Sequence, residues 1–346
     1  MKITAWKLPL LALLAALACL FGDQASAALW GDCPPWAAPL GVGTAMLVNA
    51  ANITGMFTNL RTTFNKAFEG LPAQWQRVAM LVPSSTITEE YDWLSDFPML
   101  REWLGDKVVS ALSAHGYSIR NKEFEATVGV KRIDIETDRL GLYEPRVRDV
   151  AWAARVWPDR LVAALQNGAF AAPCYDGQYF YDTDHPVGGA TQSNAGTAVL
   201  SATTLAAAVA SYGAGRLSIQ GRTNEHGENL DLDPDVLEVP PALEATGKIL
   251  LTSDKLVDDS PNPYKGTAEL RVNRRLTSAT AWFLHVTNRP IKPFVFQQRK
   301  APHFVSQTDM GADDVFMRAM YKMGVEASGN AGYGLWQLSY GSTGGG

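Results

Sequence analysis

Between Pro173 and Pro186 the chain carries Cys174, Asp182, Asp184 and His185, all side chains of metal-ligating type. A closed site needs four convergent donors. No second histidine lies at i+4 or nearby, and His226 falls in a turn region rich in Gly and Asn. The segment therefore reads as a turn-rich entry to a new domain, with Asp side chains bonding their own backbone. The remaining chemistry is sparse. There is no P-loop, GxSxG, HExxH, paired CxxC or GxGxxG after a strand. A Ser-His-Asp triad is a spatial arrangement, which spacing neither shows nor excludes. The five histidines (His115, His185, His226, His285, His303) follow no spacing logic, and each reads as a core, turn or surface residue. Three cysteines (Cys19, Cys33, Cys174) are too few and too scattered for a disulfide framework or a zinc knuckle. No catalytic residue, cofactor or metal is expected.

The elements that would position any site are easier to read. With 346 residues the chain can bury one large core or two moderate ones. A net charge of −5 argues against gripping nucleic acid through overall charge. Residues 1–27 have the form of a secretory signal: Lys2 and Lys7, an apolar run over 8–21, and Ala25-Ser26-Ala27. The run is short for a membrane span.

Asn52 is placed to cap a helix reaching about Ala67, with Ile53, Met56, Phe57, Leu60 and Phe64 on one face and Gly70 and Pro72 ending it. Trp93 and Trp103 bound an aromatic-dense stretch, either an amphipathic turn packing on its own domain or an inter-subunit contact. Phe124, Ala126, Val128 and Val130 alternate with Glu125, Thr127 and Gly129, the period of a half-exposed strand. A helix starts near Pro145, is broken or kinked at Pro158, and continues to Gly168. Ser201 or Thr203 can cap an Ala-rich helix over 204–211. Val236-Leu237-Glu238-Val239 forms a short buried strand that Pro240-Pro241 must end, and a helix follows from Ala242. Residues 315–338 read as a β-hairpin turning at Gly329-Asn330, and 342–346 as a frayed tail.

In this order the motifs resemble the major head subunit of Mu-like tailed bacteriophages, a branch of the Hong Kong 97-type capsid proteins. The motifs that carry the resemblance are Met46-Leu47-Val48-Asn49, the strand over 124–130, Cys-Tyr-Asp-Gly at 174–177, Asp-His-Pro at 184–186 and the strand–double-proline–helix unit after 236. It covers about residues 46–339. It implies an α+β, Hong Kong 97-type capsid fold with an N-terminal arm (46–83), an extended-loop region (84–132) holding a long β-hairpin, a peripheral domain with a spine helix (133–170), an axial domain (171–290), and return strands of the peripheral domain with a tail (291–346). Residues 1–45 then form a leader: an over-extended start with Met46 as the real one, a true signal, or a segment removed during head maturation. The implied function is a major capsid protein that self-assembles through pentamers and hexamers into an icosahedral shell. The shell encloses double-stranded DNA without sequence-specific binding and without a membrane. Scaffold, head-maturation protease and portal are the implied partners, and assembly in the bacterial cytoplasm followed by residence in the virion the implied location. Trp93, Trp103, Phe124, Val128 and Val130 are the expected inter-subunit contacts. The alternatives are an encapsulin-like or domesticated shell holding protein cargo, and an exported binding protein or hydrolase if the signal is real.

Overall fold

The structure, a computed structural model, describes residues 50–94, 116–137 and 140–345. Helix α1 (Ala50–Glu69) buries Ile53, Met56, Phe57, Leu60 and Phe64, the i, i+3, i+4 stripe expected of a core-facing helix. It begins at Ala50, so Asn52 lies inside its first turn and does not cap it. Strand β1 (Ala79–Pro83) follows, then the short ladder of β2 (Thr88–Glu90) and β3 (Ser118–Arg120), then β4 (Lys122–Lys131) and the single-turn α2 (Arg132–Glu136). Helix α3 (Glu144–Gly168) starts with Pro145 in its first turn and runs through Pro158 without ending. Proline forfeits one helical hydrogen bond. Packing overrides that loss: the Trp157 ring sits 5.1 Å from Phe124 and 5.3 Å from Phe296, and Asp159 Oδ1 accepts from Trp75 N at 2.6 Å.

Beyond α3 the chain makes β5 (His185–Val187), β6 (Ala190–Gln192) and β7 (Ala195–Gly196). Helix α4 (Leu205–Ala208) is capped by Thr204, whose Oγ1 accepts from Ala207 N at 3.2 Å, and not by Ser201 or Thr203. Those two residues bond each other instead. A π-turn (Val209–Gly213) carries the helix on into α5 (Ala214–Gln220). Strand β8 (Val236–Val239) has the expected bounds and is buried throughout. Pro240 and Pro241 then open a 3₁₀ turn leading into α6 (Glu244–Thr252), followed by β9 (Glu269–Val272) and β10 (Trp282–His285).

The last third differs most from expectation. Strand β11 (Phe294–Gln307) and strand β12 (Met320–Tyr333) are antiparallel partners of 14 residues each, with helix α7 (Asp313–Arg318) between them. The turn therefore lies over 308–319. Gly329 and Asn330 sit in mid-strand, facing Gln298 and Gln297. Gly329 is needed for close approach, since a Cβ there would lie 2.5 Å from the Gln297 carbonyl oxygen. Nor does the tail fray at Ser342. Strand β13 (Ser339–Ser342) is buried, Ser342 Oγ donates to Ala198 O at 2.7 Å, and Thr343 N donates to Gly196 O at 3.0 Å.

Two larger sheets result, ordered β1-β11-β12-β4 and β7-β13-β10-β8-β9, beside the two-stranded ladders β2-β3 and β5-β6. Helices α1 and α3 contact the first. One apolar core spans the second sheet and the adjoining half of the first; a separate core lies where α1 and the start of α3 meet the far end of β4, β11 and β12.

Candidate subunit interface

Strand β4 is an edge strand that pairs with β12 along its full length. Its alternation is real: Phe124, Ala126, Val128 and Val130 turn inward, while Glu123, Glu125, Thr127 and Gly129 are exposed. The inward face is only partly covered by the subunit's own helices: Val130 is buried, while Phe124, Ala126 and Val128 are half-buried. Val130 is 0% exposed inside the α1–α3 core and so is not available as an inter-subunit contact. Val128 is half-buried against the same core, and Phe124 half-buried against Trp157. Period-two patterning reports that one face is covered, not what covers it. Beside them runs a groove between β4 and α3, lined by Phe124, Ala126, Val150, Ala154 and Trp157. Trp93 is 37% exposed and leans on the buried ring of Tyr91 at 5.9 Å, whose hydroxyl donates to Gln297 Oε1 at 2.7 Å. Trp93 is thus an aromatic on a rigid mount. Trp103 lies outside the described residues.

Of the metal-type side chains, Cys174 and His185 come together, but with Asp176 in place of Asp182 and Asp184. The Asp176 carboxylate accepts from Cys174 Sγ at 3.0 Å, His185 Nδ1 at 2.7 Å and Gln178 N at 3.1 Å. Burial opposes its charge, yet the bonds from His185 and Cys174 outweigh burial and hold the carboxyl below its ordinary value. Burial first, and the Asp176 charge second, push the Cys174 thiol well above its usual range, so it is not an activated nucleophile. His185 stacks on Trp336 at 4.0 Å and meets Asn194 Oδ1 with Nε2 at 3.2 Å. Each donor is spent on a neighbour, which makes this a clamp on the turn that enters the second sheet. Asp182 accepts from Tyr179 N and Thr183 N, as the turn reading anticipated, and Asp184 is exposed. The Asp-Gly turn after Cys174 was the available signal for Asp176.

A second polar cluster went unread. Glu238 and His285 are both 0% exposed in the second sheet, with His285 Nε2 3.4 Å from Glu238 Oε2. Asn273 Nδ2 donates to Glu238 Oε1 at 2.6 Å, Arg271 reaches Oε2 at 3.2 Å, and His285 Nδ1 meets Ser339 Oγ at 2.9 Å. Burial disfavours the Glu238 charge, but Arg271 and the bonds from His285 and Asn273 win and bring its pKa down to about 2. Gln166 of α3 touches His285 at 3.3 Å, so the cluster ties the long helix to the second sheet. A Glu inside an apolar tetrad carries no spacing signal for such a role. Both clusters hold strands and turns in place; neither presents an activated group to solvent.

The sequence and the fold match a known group. The family model described as Mu-like prophage major head subunit gpT matches residues 53–204, 196–276 and 271–344. The chain is 32% identical to the major capsid protein of Escherichia phage Mu over 294 residues, covering 85% of this chain and 74% of that one. It is 30% identical to the Mu-like prophage FluMu major head subunit of Haemophilus influenzae over 295 residues, covering 84% and 74%. Among solved structures, a procapsid chain of bacteriophage JBD30 superposes with a TM-score of 0.55 at 31% identity, covering 85% of this chain and 76% of that one. A JBD30 capsid chain decorated with minor capsid protein trimers gives 0.54 at 27% identity, covering 60% and 92%. These neighbours share the Hong Kong 97-type capsid fold. The matches run from α1 to β13, and the chain belongs to the family of Mu-like prophage major head subunits, the major capsid proteins of Mu-like phages.

Proposed function

We propose that this chain assembles through pentamers and hexamers into an icosahedral shell that encloses double-stranded DNA. The family match, continuous from residue 53 to residue 344, carries this reading. The matched family favours neither a cargo-holding compartment nor an exported hydrolase. The four-stranded sheet with α3 serves as the peripheral domain, the five-stranded sheet as the axial domain, and residues 46–83 as the N-terminal arm. Residues 84–132 supply the extended loop. Trp93, Trp103, Phe124 and the outer edge of β4 meet neighbouring subunits. Many modest contacts then add through multivalency. The net charge of −5 suits a shell that holds DNA without gripping its phosphates. Scaffold, protease and portal act on the shell in the bacterial cytoplasm.

The test is to express residues 46–346, alone and with a scaffold, and to inspect the product by sedimentation and negative-stain microscopy. Closed particles of uniform size are expected. Monomers persisting across salt and scaffold conditions would sink the reading.

A further inference from the structure

The clamp of Cys174, Asp176 and His185 asks for a positive charge at its centre. Asn194 Oδ1 accepts from Asp182 N at 2.8 Å, and Asn194 Nδ2 donates to Phe180 O at 2.6 Å. These two backbone partners fix which end of the amide meets His185 Nε2, so Nε2 carries a proton. In a neutral ring Nδ1 then holds a lone pair. It lies 2.7 Å from Asp176 Oδ2, an oxygen with lone pairs of its own. The contact holds only with a cation between the two, either a second ring proton or a metal ion. At the other oxygen of the same carboxylate, Cys174 Sγ stands 3.0 Å from Oδ1.

One ligand atom from each of the three side chains lies within 4.8 Å of the others. Thiol sulfur, imidazole nitrogen and carboxylate oxygen form a donor set suited to zinc, a cation of borderline softness. Tetrahedral bonds of about 2.0–2.3 Å set neighbouring ligand atoms about 3.3–3.5 Å apart, so each contact must open by about half an ångström. The turn can yield that distance: Gly177 is exposed, and nothing lies within 4 Å of a Cβ built there. The same exposed turn lets water supply a fourth donor. Asn194 is already the kind of partner that a metal-bound imidazole keeps on its other nitrogen.

Charge selects a divalent ion. Without metal, a thiol, a carboxylate and an imidazolium sum to zero. Zinc displaces the thiol proton and the Nδ1 proton to solvent, since a coordinating thiol and imidazole give up their protons. Thiolate, carboxylate, neutral imidazole and Zn2+ again sum to zero. The balance matters because the side chains of His185 and Asp176 are 0% and 5% exposed, where an uncompensated charge is costly. We propose that Cys174 Sγ, the Asp176 carboxylate and His185 Nδ1 bind one zinc ion, which joins the turn after α3 to β5. Its role is structural, a stronger form of the clamp.

The test titrates cobalt(II), a spectroscopic stand-in for zinc, into the full chain, kept reduced and stripped with a chelator. One ion per chain is expected, with a thiolate-to-cobalt charge-transfer band that added zinc removes. Zinc should also raise the melting transition of the chain. Cys19 and Cys33 are the other thiols, so Cys19→Ser/Cys33→Ser must keep the band and the rise. Cys174→Ser must lose both, while its melting transition in chelator matches that of wild type. Should Cys174→Ser fail to fold, the Cys19→Ser/Cys33→Ser chain decides alone, because Cys174 is its one remaining thiol. Absence of the band from that chain, or a band that survives Cys174→Ser, overturns the site. A melting transition indifferent to zinc also overturns it and leaves the cluster a hydrogen-bonded clamp.

Discussion

Glu238 and Arg222 are both buried charges, and their surroundings predict opposite responses to mutation. Glu238 is matched by Arg271, Asn273 and His285, so removing a partner strands a charge. Arg271→Ala should destabilise by about 3 kcal/mol in urea denaturation, the usual cost of breaking a buried pair from one side. The pH dependence has a definite sign. With a folded pKa of about 2 against an ordinary 4.5, Glu238 contributes stability that is fully present above pH 4.5 and is lost as pH falls toward 2. Glu238→Gln should flatten that part of the stability–pH curve; an unchanged slope would show that the carboxylate is not held low. Arg222 is different. Its guanidinium lies over the Trp336 ring and donates to the Trp336 and Gln337 carbonyls, but Nε and Nη2 find no partner among the described residues. Burial brings its pKa down to about 9. Arg222→Met should therefore be neutral or stabilising by about 1 kcal/mol, because an ill-compensated buried charge is replaced by packing. A loss comparable to that of Arg271→Ala would contradict this account.

At the scale of elements, glycine separates what the sequence could disclose from what it could not. Strand β8, the alternation of β4 and the long helix α3 were legible, because period and flanking prolines are local signals. The β11–β12 pairing was not, because Gly329-Asn330 has the composition of a turn while its role depends on Gln297 in a distant strand. The burial of Val130 was missed for a related reason: its cover comes from α1 and α3, remote in sequence. Thr204, not Ser201 or Thr203, caps α4, a choice among adjacent hydroxyls that spacing leaves open. The same logic predicts two substitutions. A Cβ at Gly324 would lie 2.5 Å from the Ala126 carbonyl oxygen in β4, so Gly324→Ala must part the β4–β12 ladder. A loss of about 1–3 kcal/mol is expected, as for overpacking elsewhere. Gly55 lies inside α1 with nothing within 4 Å of a built Cβ. Gly55→Ala should stabilise by about 0.5–1 kcal/mol through helix propensity. Thermal melts of the two single variants decide both, and a shift of the same sign in each would refute the distinction.

For the whole molecule, the second core makes the N-terminal helix a structural requirement and not a detachable strap. Ile53, Met56, Phe57, Leu60 and Phe64 are buried against Val130, Val147, Ala151, Phe304 and Tyr321, which come from β4, α3, β11 and β12. Burying each large apolar side chain contributes about 1.5–3 kcal/mol, so α1 supplies on the order of 10 kcal/mol to that half. A chain beginning at Met46 keeps α1 whole, since the helix starts at Ala50. It should melt and assemble like the full chain. A chain beginning at Gly70 uncovers the core beneath, and also the base on which Val315 seats α7. It should lose the cooperative transition of the peripheral half, resist recovery as soluble protein and form no particles. Scanning calorimetry and proteolysis of the two truncations separate the cases. Were the Gly70 chain to keep the full transition, the second core would stand without α1, and an arm that can be detached would be the better description.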